Sequence, residues 1–315
     1  MMGFLNINKP EGYTSFDIVA IVRKKIGVKK VGHLGTLDPM ATGVLPVAIG
    51  KATKLFDYFL NKEKTYIATF LVGTETDTLD ITGKILKEEN FNITQEKIDK
   101  ILPNFIGEII QIPPKYSAKK IAGKRAYKLA KSDFDFEMKP NKVKICSIST
   151  IKPLRDSLIT FKIRCCAGVY IRSLGRDIFN ALGTCATMTK LERIDSGIFK
   201  IEDSLSVEEL DGLDCKKIVP VEKVLGDMHE IKIPAELKTR FLNGVKLERR
   251  RFDDSDFVFK NLNEKLNISS CTKDIVPKNE NILISVDSQI YGIGFFDNED
   301  VLKVKVNLYE GENNG

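Results

Sequence analysis

Alternating and helical patterns of apolar residues divide the chain into short strands and helices without a regular strand–helix repeat. Alternating or continuous apolar runs predict strands at 4–9, 44–49, 66–72, 143–151, 158–166 and 301–308, and a hairpin at 282–296. Apolar residues at intervals of three and four predict helices that begin at Thr14 or Ser15, near Thr53, at Thr94, before Leu174 and at Ala235. This mixture predicts an α+β fold with a mixed, mainly antiparallel sheet.

The length of 315 residues exceeds what one hydrophobic core comfortably supports, so two domains are expected. A change in pattern near Ile231–Pro234 divides the chain into domains 1–230 and 231–315. The second is predicted to be small and rich in β-structure. Residues 250–281 are polar and irregular and receive no assignment.

Composition and charge exclude few functional classes of protein. An apolar content of 43% and a charged content of 29% are typical of a globular protein, and a net charge of +6 is modest for this length. No apolar run approaches the roughly 20 residues that span a bilayer, and residues 1–20 lack the pattern of a signal peptide. We therefore expect a cytoplasmic protein without membrane contact.

Cysteine and histidine are sparse and lack the spacing of a metal site. No Cys-x-x-Cys motif occurs, and the only histidines are His33 and His229. Reduced cysteines and the absence of a bound metal are therefore expected. The adjacent cysteines at 165 and 166 should face opposite sides of a strand. The six cysteines are Cys146, Cys165, Cys166, Cys185, Cys215 and Cys271.

A loop of twelve residues carries the most specific signal. The segment Gly32-His33-Leu-Gly-Thr-Leu-Asp38-Pro39-Met-Ala-Thr-Gly43 has neither helical nor strand periodicity. Glycine and proline shape loops of the kind that often hold catalytic groups. Pro39 also keeps Asp38 away from helical backbone angles. A plain surface turn is the alternative for an arbitrary Asp-Pro pair.

The motif Gly-x-Leu-Asp38-Pro-x-Ala-Thr-Gly resembles the catalytic loop of the TruB family, the tRNA pseudouridine synthases that act on uridine 55 of the T loop. The segments Asn8-Lys9-Pro10, Lys64-Thr65-Tyr66 and Tyr170-Ile-Arg172-Ser-Leu also match family motifs, and the resemblance runs from about Met2 to Val224. It implies a pseudouridine-synthase catalytic domain with a thumb-like insertion at about 112–140, and an isomerase that needs no cofactor.

The resemblance also implies roles for individual residues. Asp38 matches the catalytic aspartate, Arg172 the arginine that pairs with it, and Tyr66 the tyrosine that stacks on the target base and handles a proton. Tyr170 matches a second active-site tyrosine, and Leu191 the residue that packs on the flipped nucleotide. Physically, a guanidinium would orient the carboxylate and keep it ionised despite burial.

Other matches concern RNA contacts. His33 matches the histidine that enters the T loop in place of the flipped base, and Asp80 matches a family acid for which we favour a loop-ordering role. The stretch Ile112–Lys131 resembles the thumb, and basic residues with interleaved tyrosines suit an RNA backbone and unstacked bases. A solvated basic helix is the alternative. Its candidate RNA-binding residues are Lys115, Lys119, Lys120, Lys124 and Arg125.

Two parts of the chain match the family less well. Residues near 237–244 and the segment Tyr291-Gly-Ile-Gly294 resemble a PUA-type RNA-binding domain, which would hold the acceptor end of tRNA; an ordinary β-rich appendage is the alternative. In the segment Ala186–Ile194, Glu192 stands where the family commonly has an arginine. This departure leaves the catalytic set unchanged and concerns backbone contacts beside Leu191.

Three function classes compete at this point. The favoured one is a stand-alone synthase whose partner is tRNA, with no obligate protein partner. The second is a guide-RNA-dependent synthase, which shares the Asp loop but lacks the thumb-like insertion. The third is a non-catalytic RNA binder or tRNA-folding chaperone, which has no need of a carboxylate facing phosphates. A phosphate-loop enzyme is disfavoured, because the glycines around Asp38 lack the Lys-Ser/Thr ending.

Overall fold

A nine-stranded sheet organises the N-terminal part of the chain. A computed structural model describes residues 1–60, 62–117, 119–121, 123–131, 136–258 and 276–309. The chain folds into a larger unit, Leu5–Val47 with Asp57–Leu213, and a smaller unit, Met1–Phe4 with Ala48–Phe56 and Asp214–Gly315. The predicted domain boundary at residue 230 falls where a strand of the smaller unit begins, and it stays a prediction.

The first thirteen strands and five helices precede residue 201. Strands β1 to β13 are Gly3–Lys9, Val31–His33, Thr42–Ile49, Lys64–Val72, Thr74–Thr76, Ile85–Glu88, Gly107–Gln111, Lys120–Ile121, Lys124–Arg125, Asn141–Arg155, Leu158–Cys165, Ala186–Ser196 and Phe199–Lys200. Helices α1 to α5 are Ser15–Ile26, Phe56–Leu60, Gln95–Ile101, Ala126–Lys131 and Ile171–Ala181. A 3-10 helix at Gly50–Leu55 precedes α2.

The strand order of the main sheet is β1-β3-β12-β4-β11-β10-β7, with β2 beside β3 and β13 beside β12. Strand β12 runs parallel to β3 and antiparallel to β4, and the pairs from β4 to β7 along this order are antiparallel. The sheet is therefore mixed and mainly antiparallel, as the sequence predicted.

Close backbone approach at two glycines positions elements of the main sheet. Gly43 of β3 pairs with Arg193 of β12, and a Cβ at Gly43 would lie 2.3 Å from the Arg193 carbonyl oxygen. Gly43 also has φ +98, which glycine adopts without strain. A Cβ at Gly175 of α5 would lie 2.0 Å from the Phe70 ring of β4. Both glycines therefore permit packing that any side chain would block.

Helix α1 shows how local sequence sets its own ends. Thr14 and Asp17 form a capping box, and Gly27 ends the helix in the left-handed conformation. Ile18, Val19 and Val22 are buried on one face. The predicted helix, its cap and its terminating glycine are confirmed.

The region that resembles a thumb-like insertion has a small core of its own. It contains the two-residue strands β8 and β9, which pair with each other, and helix α4. Ala126, Phe136 and Met138 form a buried cluster against which Ile121 and Leu129 pack. Residues 118, 122 and 132–135 of this region lie outside the described part of the chain.

The smaller unit contains a five-stranded sheet of order β15-β14-β16-β17-β18. Its elements are β14 Glu230–Ile233, β15 Phe257–Val258, β16 Ile282–Val286, β17 Gln289–Phe296, β18 Leu302–Asn307, α6 Val221–Val224 and α7 Ala235–Leu242. The predicted hairpin is confirmed by antiparallel pairing of β16 with β17. The core includes Ile231, Phe241, Phe252 and Phe296, so a β-rich C-terminal region is confirmed.

Some expectations need correction or lie outside the description. The acidic segment 73–80, for which the sequence patterns predicted no strand, contains β5, which forms a hairpin with β6. The periodicity also failed to predict β12, although this strand is central in the sheet. In the unassigned stretch, β15 is present, whereas 259–275, with Cys271, lies outside the described residues. No described helix combines the length and apolarity that a bilayer crossing requires.

Candidate active site

The Asp38 loop is fastened to the start of α1. The hydroxyl of Ser15 donates to the Leu37 carbonyl at 3.1 Å and accepts from the Leu37 amide at 2.9 Å. On the other side of Asp38, the Gly12 amide donates to the Pro39 carbonyl at 2.9 Å. Both neighbours of Asp38 are therefore held by backbone contacts, which limits the directions in which its carboxylate can point.

A fully buried lysine braces the same loop. The Lys9 ammonium donates to the carbonyls of Pro10, Tyr13 and Pro39 at 2.9, 2.7 and 3.2 Å. Burial lowers the pKa of Lys9 to about 8, against an opposing effect of the Asp38 carboxylate. Lys9 therefore joins the end of β1 to the residue after Asp38, a link that the motif alone did not reveal.

The guanidinium of Arg172 lies between two carboxylates. Its Nη2 is 3.0 Å from Oδ2 of Asp38, and its Nη1 is 3.2 Å from Oδ2 of Asp80. It also donates to the carbonyls of Thr78 at 2.8 Å and Tyr116 at 3.1 Å. With four acceptors and a side-chain exposure of 6%, Arg172 has a fixed orientation at the start of α5.

Asp80 is ordered by its own loop. Its Oδ1 accepts from the Thr78 hydroxyl at 2.8 Å and from the amide and hydroxyl of Thr82 at 3.0 and 2.5 Å. These contacts fit the loop-ordering role favoured from sequence. The contact with Arg172 adds a second role, because Asp80 presents the guanidinium to Asp38.

Asp38 differs from Asp80 in its access to solvent. The side chain of Asp38 is 33% exposed and that of Asp80 is 6% exposed. Burial raises the pKa of the Asp38 carboxyl above its ordinary value, the Arg172 guanidinium opposes this, and the Asp80 carboxylate adds to it. The loop thus presents one carboxylate that reaches solvent and is harder to ionise than a surface aspartate.

Behind the loop, Tyr66 and Arg193 lie opposite each other on β4 and β12. Arg193 is 1% exposed and donates to the carbonyls of Val44 at 2.7 Å, Gly35 at 3.1 Å and Thr36 at 3.4 Å. Burial raises the pKa of Tyr66, and the guanidinium of Arg193 against its hydroxyl opposes this. Arg193 therefore connects the backbone of the Asp38 loop to Tyr66.

Tyr170 lies at the start of α5, and Leu191 lies on β12. Tyr170 precedes α5, and its backbone amide and carbonyl bond the Gln111 side chain at 2.9 and 3.1 Å. Burial raises the pKa of Tyr170, and the Ser117 hydroxyl opposes this. Leu191 is buried on β12 opposite Ala68, two residues before Arg193. Leu191, Arg193 and Tyr66 consequently share one face of the sheet.

A cavity of ≈ 830 Å³ opens beside Asp38 and Arg172. Its volume lies in the range of small-molecule sites. Its wall includes Asp77, Tyr116 and Phe16, whose side chain is 63% exposed. The Phe16 ring stands edge-on to the ring of His33 at 5.1 Å. His33 therefore contacts a residue of the cavity wall, an exposed aromatic ring that the sequence did not single out.

The predicted RNA-binding lysines lie partly outside what can be described. The Lys119 ammonium donates to Oδ1 of Asn141 at 2.7 Å, and the Lys115 ammonium lies 5.8 Å from the centre of the Phe136 ring. The side chains of Lys120, Lys124 and Arg125 are not among the described groups. Their role in RNA binding stays a prediction.

The structure therefore gathers Asp38, Arg172 and Asp80 at one cavity. Tyr66 and Leu191 lie on the sheet face behind the Asp38 loop and are not among the described residues that line this cavity. Sequence reasoning missed Lys9, Arg193 and Phe16 as participants. Lys9 lies within Asn8-Lys9-Pro10, which matched a family motif without revealing what the lysine contacts. No local signal distinguished Arg193 from a surface arginine, because its neighbours Glu192 and Asp195 give the segment a polar appearance.

The fold and this cavity define a pseudouridine-synthase class of protein. Residues 23–171 match the TruB family pseudouridylate synthase, N-terminal domain. The tRNA pseudouridine synthase B of Clostridium tetani is 44% identical over 256 residues, which are 81% of this chain and 88% of that protein. The protein of the same name from Alkaliphilus oremlandii is 35% identical over 318 residues, or 99% and 100% of the two chains. This chain belongs to the TruB family of pseudouridylate synthases.

Solved structures show the same fold. A crystal structure of a Cbf5–Nop10–Gar1 complex contains a chain that matches with a TM-score of 0.69 and 25% identity, over 96% of this chain and 84% of that one. A chain in an H/ACA RNP bound to a substrate RNA containing 2′-deoxyuridine matches with a TM-score of 0.68 and 23% identity, over 98% and 85%. The pseudouridine-synthase fold expected from sequence is confirmed.

Proposed function

We propose that the protein is an isomerase that converts uridine 55 in the T loop of tRNA to pseudouridine, without a guide RNA. The observation that carries the proposal is the Asp38 carboxylate, partly open to the cavity and held by Arg172. The curated relatives named tRNA pseudouridine synthase B support tRNA as the substrate class.

The reaction breaks the N1–C1′ bond, rotates the uracil and joins C5 to C1′. C5 loses its hydrogen as a proton, and N1 gains a proton. The overall change is an isomerisation, so it consumes no oxidant and no co-substrate. An ionised carboxylate beside the sugar and base can act as a nucleophile or as a base. Asp38 is proposed to be this carboxylate, and the Arg172 guanidinium is proposed to keep it ionised and oriented.

A uridine inside folded RNA must leave its stack before Asp38 can reach it. The cavity beside Asp38 is large enough for a flipped nucleoside. Tyr66 and Leu191 are proposed to contact the flipped uracil from the shared sheet face, with Tyr170 beside Arg172. His33, next to the exposed ring of Phe16, is proposed to fill the space that the uridine leaves in the T loop.

Two further regions are proposed to hold the rest of the tRNA. The thumb-like insertion, 112–140, would contact the T arm through its basic residues, since counterion release favours such contacts. Residues 231–315 would form a PUA-like domain that binds the acceptor end. A tRNA substrate and the absence of a spanning helix among the described residues support a cytoplasmic location.

The test is turnover of an unmodified tRNA transcript by the purified chain, with wild type, Asp38→Asn and Asp57→Asn compared. Asp57 is an exposed aspartate in α2 and serves as the matched control. We expect pseudouridine at position 55 with wild type and Asp57→Asn, none with Asp38→Asn, and tRNA affinities within several-fold of each other. Collapse of affinity in Asp38→Asn would instead make Asp38 structural.

The same assay separates the two competing functions. The likeness to Cbf5-containing complexes favours testing a guide-dependent synthase, so the transcript is assayed with and without added guide RNA. Turnover only with a guide would support that function. Tight binding with no product in any arm would support a tRNA-folding chaperone.

A further inference from the structure

A cluster of two cysteines and one glutamate joins three neighbouring strands of the main sheet. Glu63 precedes β4, Cys166 follows β11, and Cys146 lies in β10. The two sulfur atoms are 3.9 Å apart, and Cys146 Sγ is 3.2 Å from Oε1 of Glu63. One ligand atom from each residue lies within 4.8 Å of the others.

An irregularity in the sheet brings the cysteines together. In the pairing of β10 with β11, Ile145 lies opposite Cys165 and Ser147 opposite Arg164, so Cys146 is an extra residue on its strand. A bulge of this kind redirects a side chain. Cys165 is buried and Cys166 is half-buried, as expected for neighbours on opposite faces. Cys146 and Cys166 are separated by twenty positions in the sequence, a spacing that does not match any metal-binding sequence motif.

The distances match those of a tetrahedral metal site. Zinc–sulfur bonds of about 2.3 Å at tetrahedral angles place two sulfurs about 3.8 Å apart, and a carboxylate ligand places sulfur and oxygen about 3.6 Å apart. A disulfide would instead need the sulfurs at about 2.05 Å. The observed sulfur–sulfur separation of 3.9 Å agrees with the metal geometry, and the sulfur–oxygen separation of 3.2 Å needs to lengthen by about 0.4 Å to reach it.

An arginine contacts the cluster, and the cluster is open to solvent. Oε2 of Glu63 accepts from Nε of Arg164 at 3.0 Å, which orients the carboxylate and balances negative charge at the site. Glu63 is exposed and both cysteines are half-buried, so an ion and a water molecule can reach the cluster from solvent.

We propose that Glu63, Cys146 and Cys166 bind one thiophilic divalent cation such as Zn²⁺, with water as the fourth ligand. Binding replaces the two thiol protons, which pass to solvent. The ion joins the start of β4 and the end of β11 to an interior residue of β10, and it anchors Cys166, which is four residues before Tyr170. Because a metal ion binds thiolates rather than thiols, its affinity should increase with pH.

The test is titration of the full-length, phosphine-reduced protein with Co²⁺, followed by displacement with Zn²⁺. We expect one equivalent of Co²⁺ to produce a thiolate-to-metal charge-transfer band that Zn²⁺ removes. Cys146→Ser and Cys166→Ser should each weaken binding by about 100-fold or more, and Glu63→Gln by about 10-fold. Cys215→Ser is the control, because Cys215 is an exposed cysteine in the smaller unit.

A second measurement on wild type avoids dependence on variants that fold poorly. Zn²⁺ should protect Cys146 and Cys166, and not Cys215, from alkylation mapped by mass spectrometry. Absence of the band, a band retained in both serine variants, or equal alkylation with and without Zn²⁺ would overturn the proposal. A Cys146–Cys166 disulfide that forms in air equally with and without Zn²⁺ would overturn it in favour of a redox pair. None of these readouts depends on pseudouridine formation.

Discussion

Nη2 of Arg172 lies 3.0 Å from Oδ2 of Asp38, while the other terminal nitrogen of the same guanidinium reaches Asp80. The orientation of Asp38 therefore depends on a second carboxylate 42 positions later in the chain, which is itself ordered by Thr78 and Thr82.

The first prediction concerns this dependence. Asp80→Asn should lower kcat by about 100-fold, the cost of a small misplacement of a reacting group, with KM for tRNA nearly unchanged. Steady-state pseudouridine formation checks it. Asp203→Asn, at an exposed position in a short 3-10 helix, should behave as wild type. A rise in KM at constant kcat would mean that Asp80 acts in RNA binding instead.

The second prediction is that Asp38→Asn is more stable than wild type at neutral pH. Burial raises the pKa of Asp38 above its unfolded value of 3.8. Between the unfolded and folded pKa values, the folded state therefore binds more protons than the unfolded state, and the free energy of unfolding falls as pH rises. The asparagine variant avoids this cost. In urea denaturation, the difference in free energy of unfolding between Asp38→Asn and wild type should shrink as pH falls through the folded-state pKa of Asp38 toward 3.8. An advantage independent of pH would contradict the explanation.

The third prediction concerns the buried arginine behind the loop. Arg193→Lys should lower the free energy of unfolding by about 2–3 kcal/mol. The carbonyls of Val44, Thr36 and Gly35 accept from three separate guanidinium nitrogens, and the single nitrogen of an ammonium does not reproduce that spread. Urea denaturation measures the loss. Arg155→Lys, at a position with 89% side-chain exposure, should change stability by less than about 0.5 kcal/mol.

The fourth prediction concerns the exposed ring at the cavity. Phe16→Ala should weaken binding of a T-arm RNA by about 10-fold, since stacking of a base on an aromatic side chain contributes about 1–3 kcal/mol. Fluorescence anisotropy measures the affinity. Phe56→Ala removes an exposed phenylalanine of the smaller unit and should leave affinity unchanged. Equal losses in both variants would point to a general effect on folding.

The fifth prediction concerns the thumb-like insertion. Replacing Lys119, Lys120 and Lys124 together by glutamine should weaken tRNA binding and reduce the slope of log K against log salt by about 2, because each lost phosphate contact removes about 0.7–0.9. The slope is measured by filter binding at several salt concentrations. A matched triple change uses exposed lysines elsewhere, namely Lys97, Lys100 and Lys162. An unchanged slope in the thumb variant would contradict the thumb's role.

Helices and strands with one buried face could be predicted from the local sequence. The helix with Thr14 as its cap and Gly27 as its end, and the alternation of Phe161, Ile163 and Cys165 along β11, agree with the structure. Strand β12 escaped prediction, because its charged and hydroxyl residues resemble a surface segment. Its position between β3 and β4 buries Thr187 and Arg193, and their polar groups find partners only in the folded protein.

By itself the sequence determined the family, the residues of the Asp38 loop and the order of most strands and helices, because motifs, capping, turns and periodicity are properties of neighbouring residues. Only the tertiary structure decided that Arg172 lies between Asp38 and Asp80, that Arg193 braces the loop, and that Cys146 meets Cys166. These contacts join residues distant along the chain. Their distances follow from strand register and one bulge, which no local pattern specifies.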